Sequence, residues 1–267
     1  MSRISFKSPA KINLYLKILK RLNGGYHNIN TSFQLIDLFD ELEFKKVKKV
    51  VSIRCENFVL EKKKNLVYKI AKKLHSIDTS NGIEINIKKN IPIGAGLGGG
   101  SSNAATAIII LNKLWNLKLS KTDMLELGKS FGADIPFFIN GENAIGTGIG
   151  DQLSAIESKK QKYVLICPNI FCSTKKMFEK YDLLDDKYKK NTQNSFWDVL
   201  LNQDNILKNF YNKNIDNFNI NLSGSGSSMF IKYENENELN KILKIIPNNW
   251  RFFLCKPLQY SPLREFI

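Results

Sequence analysis

The sequence predicts an α+β fold with antiparallel character, arranged as two lobes in close contact. Strand-like alternation dominates residues 3–89, helical spacing fills the middle of the chain, and short strands and helices interchange after about residue 155. No internal repeat and no long linker divides the 267 residues, a length that suits one large domain or two small ones sharing a cleft.

Strands are predicted over roughly 3–20, 32–37, 41–47, 50–55 and 83–89, where β-branched and aromatic residues fall at alternate positions. Residues 65–76 place Leu66, Ile70 and Leu74 at helical spacing. The segment 101–116 is almost wholly apolar after two serines, and a helix apolar on most sides is a buried one. Further helices are predicted at 121–131 and 174–181, with a strand at 163–167 between them. The polar stretch 182–194 reads as a loop. Beyond it follow a helix near 195–209, strands near 219–222 and 228–233, a helix near 236–246 and a last strand near 250–256. The chain turns rich in lysine and asparagine after residue 155, which sets the expected lobes at 1–155 and 156–267 with a cleft between them.

With 43% hydrophobic and 24% charged residues the composition is that of a soluble globular protein, which excludes a disordered tail, a collagen and a membrane bundle. The net charge of +15 raises the question of nucleic acid, because a basic stripe is the usual footprint of such binding. Its distribution argues otherwise. Residues 1–90 carry +11, residues 91–150 are net neutral, and residues 151–267 carry +4. Only five of the basic residues are arginines, whose planar fork base readers favour. Most of the lysine excess reads as solvated surface. A basic α+β nucleic-acid-binding protein, the rival class, would place positive charge beside the glycine loop described next.

Cys55, Cys167, Cys172 and Cys255 form no CxxC pair and no ligand spacing with His27 and His75, which argues against a zinc site or a disulfide framework. That usage suits a reducing cytosol. The longest aliphatic run, Ala107 to Leu111, is far short of a membrane span. The acid-free N-terminus alternates like a strand through Lys11 to Ile18, not like a transit peptide. The protein is expected in the cytoplasm, with no membrane or nucleic-acid partner.

The most informative segment is Ile91-Pro-Ile-Gly-Ala-Gly-Leu-Gly-Gly-Gly-Ser-Ser-Asn-Ala-Ala105, which follows a strand and opens the buried helix. Its glycines permit close backbone approach, so that successive N–H groups and the helix N-terminus can face an anion. Ser101 and Ser102 fall where an N-cap is expected and can donate hydroxyls to phosphate or ligate Mg²⁺. A Walker A loop needs a lysine that is missing here. Gly94, Gly96 and Gly99 match G-x-G-x-x-G, but no acid ends a following strand as a dinucleotide fold requires. A nucleoside-triphosphate loop of another kind remains.

Pro92 to Ser102 resembles the central ATP motif of the GHMP kinases, the small-molecule kinases of galactose, homoserine and mevalonate. Ser8-Pro-Ala-Lys-Ile-Asn-Leu-Tyr-Leu16 is similar to that superfamily's first motif. Leu222-Ser-Gly-Ser-Gly-Ser-Ser-Met-Phe230 is similar to its third, a second glycine turn facing the phosphates. The resemblance implies a two-lobed GHMP kinase fold, with a ribosomal-protein-S5-like N-terminal lobe and a ferredoxin-like C-terminal lobe. It also implies ATP, accompanied by Mg²⁺, and transfer of a phosphoryl group to a small alcohol. Carried over residue by residue, the ATP site would comprise Pro92, Ile93, Gly94, Ala95, Gly96, Leu97, Gly98, Gly99, Gly100, Ser101 and Ser102, joined by Asn65, Lys89 and Gly224. Ala95 interrupts the glycine run, which a residue of negative φ can do without harm.

Within the superfamily, Gly25-Tyr-His27, Gly98-Gly-Gly-Ser-Ser-Asn103 and Gly132-Ala-Asp-Ile-Pro136 are similar to the members that act on a cytidylylated methylerythritol. That likeness implies transfer of the ATP γ-phosphate to the 2-hydroxyl of the methylerythritol. Homoserine and mevalonate kinases, the alternatives, lack the Gly-Tyr-His turn because they have no cytosine to stack. Lys11 interrupts a run of small and apolar residues and is expected to project into the cleft toward the hydroxyl and the transferring phosphate. Asp134, in a tight and apolar setting, would accept the hydroxyl proton or orient Lys11 and the alcohol, and both roles stay open. Tyr26 would stack on the cytosine while the ring nitrogens of His27 meet its edge. By carry-over, Phe178 would form the opposite wall and Thr174 would lie near the diphosphate or sugar. Asn13, on the same strand face as Lys11, is a candidate polyol or phosphate contact. His75 reads as structural or surface.

Overall fold

The computed structural model describes residues 3–55, 65–189 and 193–267. Its N-terminal half is built on two long antiparallel strands, β1 (Ile4–Arg21) and β2 (His27–Lys48). β2 also pairs with β4 (Asn81–Lys88) and with β5 (Ala144–Thr147). β3 (Val51–Cys55), parallel to β4, and β6 (Gln152–Ala155), beside β5, complete a six-stranded sheet.

β2 is one strand where the sequence predicts two, at 32–37 and 41–47. The strand runs on through the expected gap, but its ladder with β1 shifts register between Pro9 and Ala10: Phe33 and Leu35 face the first core before the shift and Leu42 and Phe44 after it, while Ile36 and Leu38 pack in a different apolar cluster and Asp40 is buried. Asp40 is tolerated at such a position because its carboxylate finds partners in the interior.

Four helices share one core with this sheet: α1 (Leu66–His75), α2 (Gly99–Trp115), α3 (Lys121–Phe131) and the short α4 (Ile135–Asn140). α2 is buried at every position from Ser102 to Leu111, as its composition requires. Its N-cap is Gly98, at φ 69°, and not Ser101 or Ser102, which lie inside the first turn. A left-handed residue turns the chain from the loop into the helix at that point, and glycine adopts it without strain. His75 ends α1 with its ring 6.1 Å from that of Trp115, a structural position. The elements α4, β5 and β6 left no sequence signal because runs of six and four residues are too short for a period to show.

The second sheet has the order β10-β7-β9-β8 and is antiparallel throughout: β7 (Lys162–Cys167), β8 (Asn221–Leu222), β9 (Met229–Tyr233) and β10 (Arg251–Cys255). α5 (Thr174–Asp182), α6 (Phe196–Gln203), α7 (Asn205–Asn214) and α8 (Glu236–Ile245) join its core through Met177, Val199, Leu207 and Leu239. The helix expected at 195–209 is broken at Asp204, whose backbone is extended and whose carboxylate accepts from Leu207 N at 2.8 Å. The predicted loop 182–194 holds a 3₁₀ turn at Asp186–Tyr188, and its residues 190–192 lie outside the described residues.

A third apolar cluster joins the two cores, with Ile12, Ile36, Ile91 and Leu97 on one side and Tyr163, Leu165, Phe230 and Cys255 on the other. The chain beyond β10 then crosses back. Leu263 is buried in the first core, Leu258, Phe266 and Ile267 pack against it, and Ser261 N donates to the Gly141 carbonyl at 2.7 Å. No helix among the described residues is long and apolar enough to cross a membrane.

Candidate active site

The two glycine turns interlock. Ser223 Oγ donates to the Gly96 carbonyl at 3.0 Å, Ser228 N to the Ala95 carbonyl at 3.2 Å, and Lys11 N to the Leu97 carbonyl at 3.0 Å. The approach is so close that a Cβ on Gly96 would stand 2.1 Å from the Ser223 carbonyl oxygen. The first motif, the central loop and the third motif therefore meet along one seam. They wall a cleft of about 560 Å³, within the usual range for small-molecule sites.

Pro92 through Ser101, Asn65, Lys89, Gly224, Lys11, Asn13, Asp134, Thr174 and Phe178 all line this cleft. Ser102, Tyr26 and His27 do not. Ser102 is buried, with Oγ 2.7 Å from Ser8 Oγ, and so ties the first motif to α2 instead of facing a ligand.

Lys11 and Asn13 project from β1 on one face, as strand alternation requires. Lys11 is 4% exposed; its Nζ donates to Asn13 Oδ1 and lies 3.9 Å from Asp134 Oδ2. Burial lowers the affinity of this amine for its proton below that of an ordinary lysine, and the Asp134 charge opposes part of the effect. Asp134 occupies the N-cap position of α4 but makes no capping bond, so its carboxylate stays available to the cleft. At 39% side-chain exposure that carboxylate is wetter than its Gly-Ala and Ile-Pro flanks suggest. The short α4 leaves the rim open beside it.

A second polar cluster stands beside the start of α2, where Lys89 Nζ approaches Gly99. Asp40, fully buried, accepts from Asn90 N and Ile91 N at 2.8 Å each, from Asn103 Nδ2 at 2.9 Å and from Lys89 Nζ. The Lys89 charge is thereby committed to Asp40 and anchors the entry to the glycine loop. Asn65 caps α1, its Oδ1 accepting from Val67 N at 2.9 Å. Asn103 also lines the cleft, and among the described residues its buried Oδ1 has no hydrogen-bond partner. Asp40 and Asn103 are absent from the sequence-derived set, yet both left a signal. Asp40 is the acid at an inward position of an alternating strand, and Asn103 directly follows the two serines of the loop.

The expected base-binding group is arranged differently from the sequence reading. Tyr26 stands outside the cleft at 61% exposure. His27, the first residue of β2, points inward; its Nε2 lies 2.6 Å from Asp182 Oδ1 and its ring stacks on Phe178 at 4.7 Å and 15°. One ring nitrogen is thus engaged within the protein. Thr174 Oγ1 lies 2.9 Å from Ser225 Oγ, which fastens the start of α5 to the second glycine turn. Among the described residues no group of three or more His, Cys, Asp or Glu side chains gathers as a metal site.

What this cleft can do is hold a polyanion on backbone N–H groups at a helix N-terminus, beside a buried lysine and an available carboxylate. Known proteins agree with that chemistry. Residues 65–142 match the family of GHMP kinases N terminal domains. The chain is 38% identical to a 4-diphosphocytidyl-2-C-methyl-D-erythritol kinase of Wigglesworthia glossinidia brevipalpis, across 97% of this chain and 90% of that protein. It superposes on the crystal structure of a 4-(cytidine 5'-diphospho)-2C-methyl-D-erythritol kinase with a TM-score of 0.79 at 25% identity, over 95% of this chain and 99% of the other. A mevalonate kinase structure shares the fold, with a TM-score of 0.67 at 16% identity over 95% of this chain and 99% of that one. The chain belongs to the 4-diphosphocytidyl-2-C-methyl-D-erythritol kinases, within the GHMP kinase superfamily.

Proposed function

We propose that this protein is an ATP-dependent kinase that transfers the γ-phosphate of ATP to the 2-hydroxyl of 4-(cytidine 5'-diphospho)-2-C-methyl-D-erythritol, a step in non-mevalonate isoprenoid precursor synthesis. The observation that carries the chemical part is the meeting of Lys11, Asp134 and the interlocked glycine turns in one cleft. In this reading the loop N–H groups hold the β- and γ-phosphates. Lys11 neutralises the charge that develops on the transferred group, and Asp134 takes up or orients the hydroxyl proton.

Mg²⁺ supplies charge neutralisation when bound with ATP, and it asks for few protein ligands beyond phosphate oxygens and water. The donor set fits that demand: Ser101, in the first turn of α2 at the cleft wall, offers a hard hydroxyl oxygen, whereas Ser102 is occupied with Ser8. At the nucleobase end, Phe178 would turn from His27 to form one wall for cytosine, with Tyr26 swinging in as the other and His27 at its edge.

We assign residues 1–155 to an ATP lobe and 156–267 to a second lobe, a division supported by the end of β6 at Ala155 and the start of β7 at Lys162, with the segment after β10 returning to pack on the first. A cytoplasmic location is supported by Cys167, Cys172 and Cys255, which are buried as free thiols. The test of the function is ATP consumption with a panel of alcohols. Turnover with the cytidylylated methylerythritol, and none with homoserine or mevalonate, is the expected result; the reverse pattern would reassign the substrate.

A further inference from the structure

Thr31 is completely buried on β2 and reaches Asn13 across an irregularity in the β1–β2 ladder, where Asn13 pairs with Phe33 and Tyr15 with Ser32, so that Leu14 is bypassed. Thr31 Oγ1 donates to the Tyr15 carbonyl at 2.6 Å, and Asn13 Nδ2 donates to Thr31 Oγ1 at 2.7 Å. A hydroxyl has a single proton. With that proton directed at Tyr15, Thr31 can only accept from Asn13, so the amide nitrogen of Asn13 must face Thr31 and its oxygen must face Lys11. The inverted amide would set two N–H groups against the ammonium and a carbonyl against the hydroxyl's lone pairs.

We infer that Thr31 is a positioning residue for phosphoryl transfer, acting through Asn13 to hold the Lys11 ammonium toward the reacting groups. The inference rests on the reading of Lys11 as catalytic. Burial leaves Lys11 few ways to be held: besides Asn13, its Nζ faces the Asp134 carboxylate of α4 at 3.9 Å and the Phe33 ring of β2 at 5.4 Å. The more distant and half-open carboxylate constrains its direction less than the amide oxygen does. That oxygen also stabilises the charged amine, so its loss adds to the lowering that burial already imposes.

The experiment compares Thr31→Val, which keeps the shape, with Thr31→Ser, which keeps the hydroxyl, and runs Lys11→Met beside them. Thr31→Val is expected to lower kcat by about 10- to 100-fold, the scale of a misplaced catalytic group, while each KM changes by less than about threefold. The basic limb of its kcat–pH profile is expected to move to lower pH, and Thr31→Ser to recover both rate and profile. A wild-type kcat in Thr31→Val, a loss that Thr31→Ser does not repair, or a lower kcat with an unmoved basic limb would each overturn the role of Thr31. Should Thr31→Val fail to fold, Thr31→Cys, a smaller and weaker acceptor, replaces it in the same comparison. Near wild-type turnover in Lys11→Met would instead remove Lys11 from the chemistry, a separate failure.

Discussion

Asp134 and Gly96 test the cleft from opposite sides. Asp134→Asn keeps the size of the side chain and removes the proton acceptor, so kcat is expected to fall by about 10²-fold or more, with little change in the KM for ATP. Single-turnover phosphoryl transfer would check this, and a rate near wild type would strike Asp134 from the mechanism. Gly96→Ala would force the Ser223 carbonyl away and place a Cβ at φ 76°. ATP binding measured by calorimetry is expected to weaken at least tenfold, an order-of-magnitude figure for a 1–2 kcal/mol backbone strain. How far single residues could be read depended on local pattern. Lys11 and Asn13 were visible because two polar residues share one face of an apolar strand, and Asp40 was visible in principle for the same reason. The pairing of His27 with Asp182 was not, because 155 residues separate them and neither breaks its local pattern.

At the scale of elements, caps decide where the chain turns. Asp204 ends α6 and starts α7, so the single helix suggested by periodicity becomes two. Asp204→Ala is expected to cost about 1 kcal/mol of stability, seen as a lower urea midpoint with an unchanged slope. The buried α2 and the long β1 were legible because each sustains its period over many residues. β2 reads as two runs in the sequence because its inward face changes from Phe33 and Leu35 to Leu42 and Phe44 across the register shift opposite Pro9 and Ala10. The buried Asp40 does not end the strand, because four donors supply its carboxylate.

At the scale of the whole molecule, the apolar seam around Ile12, Leu97, Leu165 and Phe230 joins the lobes as a packed interior, which opposes a hinge between them. In the proposed reading, entry of the substrate is then expected to need local side-chain movement, chiefly Phe178 leaving His27. Phe178→Ala is expected to raise KM for the cytidylyl substrate and to leave KM for ATP within about twofold, since the aromatic wall contributes roughly 1 kcal/mol or more of stacking. The charge of +15 proved the least informative global property, for the cleft employs only a few lysines of the many. The return of the C-terminus to the first core was not legible either. Composition shifts near residue 155, but nothing local in 257–267 says which core it serves. Leu263→Ala should remove about 2–4 kcal/mol from global stability, as burial in a well-packed core predicts, and a Tm equal to wild type would contradict that placement.

That returning tail has a consequence for biosynthesis. The ribosome delivers the strands of the first lobe early, yet Leu263, Phe266 and Ile267, which help close its interior, follow the whole of the second sheet along the chain. The nascent enzyme therefore carries an uncovered apolar surface until those residues are made, the state in which chaperones meet a client. A premature stop at residue 257 would spare the neighbouring sheet and strike the lobe made first.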